Sequence, residues 1–189
     1  MNRFAFALLL TLLLGWTAAH AAPGGSDDDI DKFLADKGLL SQIQHVRQTV
    51  RDKASDLVVN AMGFLGVPYK RGGNNAETGF DCSGFVRAMY EQTVGLILPR
   101  RANEQAAATE KIEKTELQPG DLVFFNTMKR AFSHVGIYVG DGKFIHSPKP
   151  GAEVRVEDMR VSYWERRFDG ARRVQTAQPQ AALQTNLPQ

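Results

Sequence analysis

The apolar residues of this chain change their spacing once along its length, and that change limits the folds open to it. Up to about Val94 they recur at intervals of three and four; from Gln118 onward they come in short runs separated by turn residues. In the first half Leu40, Ile43, Val46, Val50, Ala54, Leu57, Val58, Ala61 and Leu65 mark one long amphipathic helix, or two broken near 49–53. The stripe is expected to pack on a core, with Arg47, Arg51, Asp52 and Lys53 on a solvated face. Gly66-Val67-Pro68 closes the helix, because proline cannot continue it. Residues 69–79 read as irregular, and Gly72-Gly73 permits conformations or close approaches that other residues forbid. Phe85, Val86, Met89, Tyr90 and Val94 then form a second helical face, and 102–108 suit a short helix.

In the second half, Gln118-Pro119-Gly120-Asp121 is a turn that opens a series of strands over 122–125, 135–139, 143–146, 153–156 and 167–174. Asp141-Gly142 reads as a tight hairpin turn. Helical segments first and hairpin-linked strands afterwards predict an α+β domain on an antiparallel sheet.

The amino terminus has a short basic start, an apolar run over 4–16 and a small-x-small end at Ala19-His20-Ala21. This is the pattern of a secretory signal peptide, with cleavage expected after Ala21. The run is short for a membrane span, so no integral span is expected after removal; a retained anchor is the alternative. No cysteine follows the run, which excludes an acyl anchor of the bacterial lipoprotein kind. Residues 22–56 read as an acidic linker and an accessory helix, 57–174 as one domain, and 175–189 as a disordered tail rich in Gln, Ala and Pro. The formal charge of +2 falls to +1 without Arg3, too little to suggest a nucleic-acid partner.

Cys82 is the only cysteine in the 189 residues. Exported proteins tend to use cysteines in pairs, so a single one suggests intermolecular pairing or a reactive thiol. It stands at the start of the second helix, where unpaired N–H groups and the helix dipole favour a thiolate. Of four histidines, His20 lies in the signal and His45 near the polar side of the long helix. His134 shares a strand face with Gly136 and Tyr138, opposite Val135, Ile137 and Val139. With a hairpin at Asp141-Gly142, His146 falls level with Gly136 or His134, so two imidazoles meet at one end of the hairpin. A nucleophilic cysteine needs a base, and the base needs an orienting group; these three residues supply both. The competing reading is a zinc site using Asp81 or Asp121, which lacks a second thiol and any short-spaced ligand pair.

Leu65-Gly66-Val67-Pro68-Tyr69, Gly72-Gly73, Phe80-Asp81-Cys82-Ser83-Gly84-Phe85, and Leu98-Pro99-Arg100 with Gln105 resemble the NlpC-type family of cell-wall cysteine peptidases. So do Pro119-Gly120-Asp121-Leu122-Val123-Phe124-Phe125, His134-Val135-Gly136-Ile137-Tyr138 and Phe144-Ile145-His146, in the same order. The resemblance implies a permuted papain-like fold, its helical N-terminal half packed on the antiparallel sheet. It implies Cys82 as nucleophile, His134 as general base, His146 as the orienting group, and Tyr69 as a site-wall residue that helps stabilise the oxyanion. Asp81 and Ser83 match positions that in some relatives hold the free amino end of a stem peptide. The expected protein is a monomeric periplasmic or secreted peptidase acting on peptidoglycan stem peptides, with no metal or organic cofactor. An acyltransferase or amidase of the same fold, and a non-catalytic wall-binding module, are the alternatives.

Overall fold

The computed structural model describes residues 39–127 and 129–175. The expected signal peptide, the linker and the tail beyond Gln175 lie outside them. The chain divides into two compact units at Ile43/Gln44; of the first, the described residues are 39–43, which are helical. Helix α1 runs unbroken over Leu39–Met62, so the break considered near 49–53 does not occur, and the boundary expected after residue 56 falls inside it. Only Leu57 and Ala61 of its stripe are buried; Ile43, Val46 and Val50 are exposed. The stripe therefore packs on the core only near its C-terminal end, unlike the full-length packing expected from its spacing. No described helix is long and apolar enough to cross a membrane.

Beyond α1 the irregular stretch carries a short antiparallel ladder, β1 (Asn74–Asn75) with β2 (Gly79–Phe80), that the sequence reading missed. Helix α2 follows over Cys82–Val94. Asp81 starts it: its backbone is extended and its Oδ1 accepts a 2.8 Å hydrogen bond from the Gly84 N–H, satisfying one of the helix's orphan donors. Gly95 ends it in the left-handed conformation, with φ 76°. Phe85, Val86, Met89 and Tyr90 are buried, as their spacing predicts. Helix α3 (Ala102–Ala107) comes next.

Six antiparallel strands form the sheet: β3 (Glu110–Ile112), β4 (Leu122–Phe125), β5 (His134–Gly140), β6 (Lys143–His146), β7 (Arg155–Asp158) and β8 (Phe168–Arg173). Their order across it is β3-β8-β4-β5-β6-β7. Helix α4 (Ser162–Glu165), absent from the sequence reading, lies between β7 and β8 in the chain. The β5–β6 turn has Asp141 at φ 49° and Gly142 at φ 68°, the paired positive angles of a type I′ hairpin. One sheet face joins α2: Leu122, Phe124, Val135, Ile137 and Ile145 share a core with Phe85, Val86 and Met89. The other face holds a second cluster of Val123, Phe125, Phe144, Met159 and Trp164. This is the α+β architecture expected, with α2 packed on one face of an antiparallel sheet.

The start of α2 is held against the preceding loop by close backbone contact. Asp81 N–H donates to Gly73 C=O at 3.1 Å, and Gly72 N–H donates to Asp81 Oδ2 at 3.0 Å. A Cβ on Gly84 would lie 2.1 Å from the Gly73 carbonyl oxygen, so only glycine fits. Gly84→Ala is expected to cost about 1–3 kcal/mol by overpacking, read as a lower urea midpoint; an unchanged midpoint would show that the loop yields freely.

Candidate active site

Cys82 is the first residue of α2, placed there by the Asp81 cap. Its own N–H is one of the first-turn donors that an α-helix leaves without an internal partner. The backbone N–H groups of Val135 and Ser83 approach its sulfur, which sets the thiol beside the start of β5. His134 is the first residue of β5 and His146 the last of β6. The register pairs Ile137 with Ile145, and one step further on His146 is level with Gly136. A Cβ on Gly136 would lie 2.6 Å from the Phe144 ring and 3.2 Å from His146 Cβ, so the glycine makes room for the imidazole pair.

The two rings meet: His134 Nε2 lies 2.6 Å from His146 Nδ1. Both are buried, His134 at 3% exposure and His146 at 0%. Trp164 from α4 stacks on His134 at 5.7 Å between ring centroids and sets its edge against His146 at 5.2 Å. Phe125 and Phe144 complete the aromatic surround. Beyond the pair, His146 Nε2 faces Glu157 Oε2 at 3.5 Å, and Glu157 Oε1 accepts from Arg155 Nε at 2.6 Å.

A groove of about 1620 Å³ runs over these residues, and Tyr69, Asp81, Cys82, Ser83, Arg100, His134 and Trp164 all border it. Tyr69 is held by its N–H to Ala152 C=O at 2.8 Å. Burial, followed by Cys82 and Asp81, raises its pKa, so the phenol keeps its proton. Asp81 is heavily engaged: Arg100 grips it through two bonds of 2.9 and 2.6 Å, besides the cap and the Gly72 contact. Ser83 is buried and its Oγ accepts from Arg100 at 3.0 Å. Gln105 Nε2 donates to the carbonyls of Ser83 and Pro99, tying the Arg100 segment to the helix start.

The resting protonation differs from the sequence expectation. Burial, and then the Asp81 carboxylate, push the Cys82 thiol up to about 11. Both influences oppose the thiolate that the helix start would favour. Desolvation therefore outweighs the dipole, and the thiol rests protonated. Burial, and then His146, hold His134 well below the usual histidine range. His146 is lowered by burial, against the pull of Glu157. Burial would raise Glu157, but contacts with His146 and Arg155 outweigh it and bring the carboxyl to about 2.

The zinc constellation does not assemble. Asp121 is bound to Arg173 through bonds of 2.8 and 2.7 Å, Asp81 is committed to Arg100, and no metal-holding group of three acidic, histidine or cysteine side chains occurs among the described residues.

A sequence profile of the NlpC/P60 family matches residues 66–173, more than half of the chain. The chain belongs to the NlpC/P60 family. It is 46% identical over 128 residues to the murein DD-endopeptidase MepH of Escherichia coli, a match covering 66% of this chain and 47% of that one. It is 35% identical over 173 residues to the probable endopeptidase NlpC of the same organism, covering 91% of this chain and 99% of that one. Among solved structures it is similar to an NlpC/P60 family protein from Bacillus cereus, with a TM-score of 0.59 and 37% identity over 64% of this chain and 39% of that one. The chain thus spans about half the length or less of the first curated relatives it matches.

Within this NlpC/P60 domain the structure brings Cys82, Tyr69, Asp81, Ser83 and His134 to one groove and seats His146 directly behind His134. Sequence reasoning missed Glu157 and Trp164. The strand over 153–156 was read one residue short of Glu157, and only the β6–β7 register, which pairs Glu157 with Phe144, brings it beside His146. Trp164 carries no local signal, since its helix has four residues.

The buried histidines make stability acid-sensitive. Each binds a proton less readily in the folded chain than in the unfolded one, so stability is complete above about 6.5 and declines as pH falls below it. Glu157 adds a second loss only below 4.5, on the way to about 2. Urea unfolding is expected to give a lower midpoint at pH 5 than at pH 7.5, by at most about 1.4 kcal/mol per pH unit per histidine. A His134→Gln variant should show a shallower drop; equal stability at the two pH values would contradict the neutral buried pair.

Proposed function

We propose that the chain is a cysteine peptidase that hydrolyses amide bonds in the stem peptides of peptidoglycan, with Cys82 as nucleophile, His134 as general base and His146 as the group that orients it. The observation that carries this reading is the adjacency of a helix-start thiol to β5, whose first residue is an imidazole bonded to a second one. The names of the relatives, murein DD-endopeptidase and probable endopeptidase, support the substrate. Export to the periplasm rests on the amino-terminal sequence pattern, and action as a monomer is part of the same proposal. The chemistry calls for no metal or organic cofactor.

The resting pair is neutral, so proton transfer accompanies attack. As Sγ bonds to the scissile carbonyl carbon, its proton passes to His134 Nδ1, the ring nitrogen that His146 leaves free. The carbonyl oxygen becomes an oxyanion, which the Cys82 N–H and the Tyr69 hydroxyl stabilise; such donors are often worth about 3–4 kcal/mol. The tetrahedral intermediate collapses to a thioester as His134 returns its proton to the leaving amine. Water then attacks the thioester, losing a proton to His134, and the thiol is regenerated with release of the carboxylate product. Asp81 and Ser83 stand beside Cys82 as proposed contacts for a free peptide amino end, sharing their oxygens with Arg100.

Incubation with purified sacculi, followed by mass spectrometry of the released muropeptides, tests the proposal. Cys82→Ala is expected to lower release by at least about a thousand-fold, and His134→Ala by about 10²–10⁴-fold. Undiminished release by folded Cys82→Ala would rule the mechanism out.

A further inference from the structure

Behind the histidine pair stands a carboxylate that the mechanism above does not use. His146 Nε2 is fully buried and makes no hydrogen bond, and the acceptor it faces is Glu157 Oε2 at 3.5 Å. Glu157 is fixed in turn by Arg155, through Nε at 2.6 Å and the neighbouring guanidinium nitrogen at 2.5 Å. Four groups thus lie in line from β5 to β7: His134, His146, Glu157 and Arg155.

We infer that Glu157 is a positioning residue that selects the tautomer of the histidine pair, and through it decides which nitrogen of His134 is the base. The inference rests on the reading of Cys82 and His134 as nucleophile and base. A neutral imidazole carries one N–H. With a carboxylate opposite Nε2, His146 keeps its proton there, and its Nδ1 becomes an acceptor. His134 Nε2, 2.6 Å away, must then be the donor, which leaves His134 Nδ1 bare for the Cys82 proton. Without an acceptor opposite His146 Nε2, the opposite arrangement becomes open: His146 donates from Nδ1, His134 carries its proton on Nδ1, and the base is blocked. Because His146 is fully buried among Trp164 and Phe144, solvent does not reach its ring to correct the choice.

The charge acts in the same direction. The charged groups acting on the pair are Glu157 and Arg155, both from β7, while α4 presents the uncharged Trp164. Of these, only Glu157 raises the basicity of the two imidazoles, and Arg155 opposes it at His146. The carboxylate keeps His134 a stronger base than its burial alone allows.

The test combines nitrogen-15 NMR of the imidazoles with kinetics on sacculi for wild type, Glu157→Gln and Glu157→Leu. In wild type, His134 should show a protonated Nε2 and a bare Nδ1. Leucine removes the acceptor, so mixed tautomers and a fall in kcat of about 10²-fold or more are expected, with KM little changed. Glutamine keeps an acceptor oxygen and loses the charge, so it should preserve the tautomer, lower kcat less, and move the acid limb of the pH–rate profile to lower pH. Wild-type tautomer and rate in the leucine variant would overturn the inference. If that variant fails to fold, an unmoved acid limb and unchanged rate in Glu157→Gln overturn it instead. Cys82→Ala, assayed alongside, separates the two levels: activity without the thiol sinks the peptidase mechanism, whereas an inert Cys82→Ala with unaffected Glu157 variants sinks only the role of Glu157.

Discussion

Two imidazoles 2.6 Å apart, flanked by aromatic rings, with His146 fully buried, must settle a proton between them. Only one N–H can point into that contact, and whichever ring supplies it determines what the other end of each ring presents. The β5–β6 hairpin creates this constraint through its register, and Gly136 leaves the space for it. Trp164 and Phe125 then pack against the pair, so the geometry of the Asp141-Gly142 turn becomes a statement about basicity.

The thiol side is arranged with equal economy. Asp81 caps the helix, anchors the loop at Gly72 and holds Arg100, while Gly84 allows the Gly73 carbonyl to sit against the helix start. Together these contacts fix where Cys82 can be. The same carboxylate, with burial, raises the thiol to about 11, so the features that position the sulfur also keep it protonated. On the proposed mechanism such a site holds no reactive anion in reserve and depends on a neutral base correctly oriented at the moment of attack, which makes the tautomer of His134 the quantity that matters.

Much of this was legible from residue order. The hairpin at Asp141-Gly142 announced itself because few residues accept two positive φ angles in succession, and once it was placed the two histidines had to converge. The helix after Cys82 followed from the spacing of Phe85, Val86, Met89 and Tyr90. What stayed hidden depended on long-range register or on solvent. Glu157 reaches His146 only through the pairing of β7 with β6, across a connection whose course local spacing does not encode. Arg100 meets Asp81 from nineteen residues away, a pairing no local pattern encodes. Val46 and Val50 carry the periodicity of a buried stripe yet are exposed, since periodicity reports a face and not what covers it. The thiol's protonation was misjudged for a related reason: a helix start can be recognised in sequence, but the desolvation that opposes it cannot.

His134 is proposed as the base for Cys82. The most direct measurement is the rate at which a thiol-directed electrophile labels Cys82 at neutral pH, by intact-mass spectrometry, in wild type and in His134→Ala. A protonated thiol that depends on its neighbour should label readily in wild type and far more slowly without the imidazole. Equal labelling in the two proteins would mean that the sulfur is activated by something else, and the proposed pairing would be wrong.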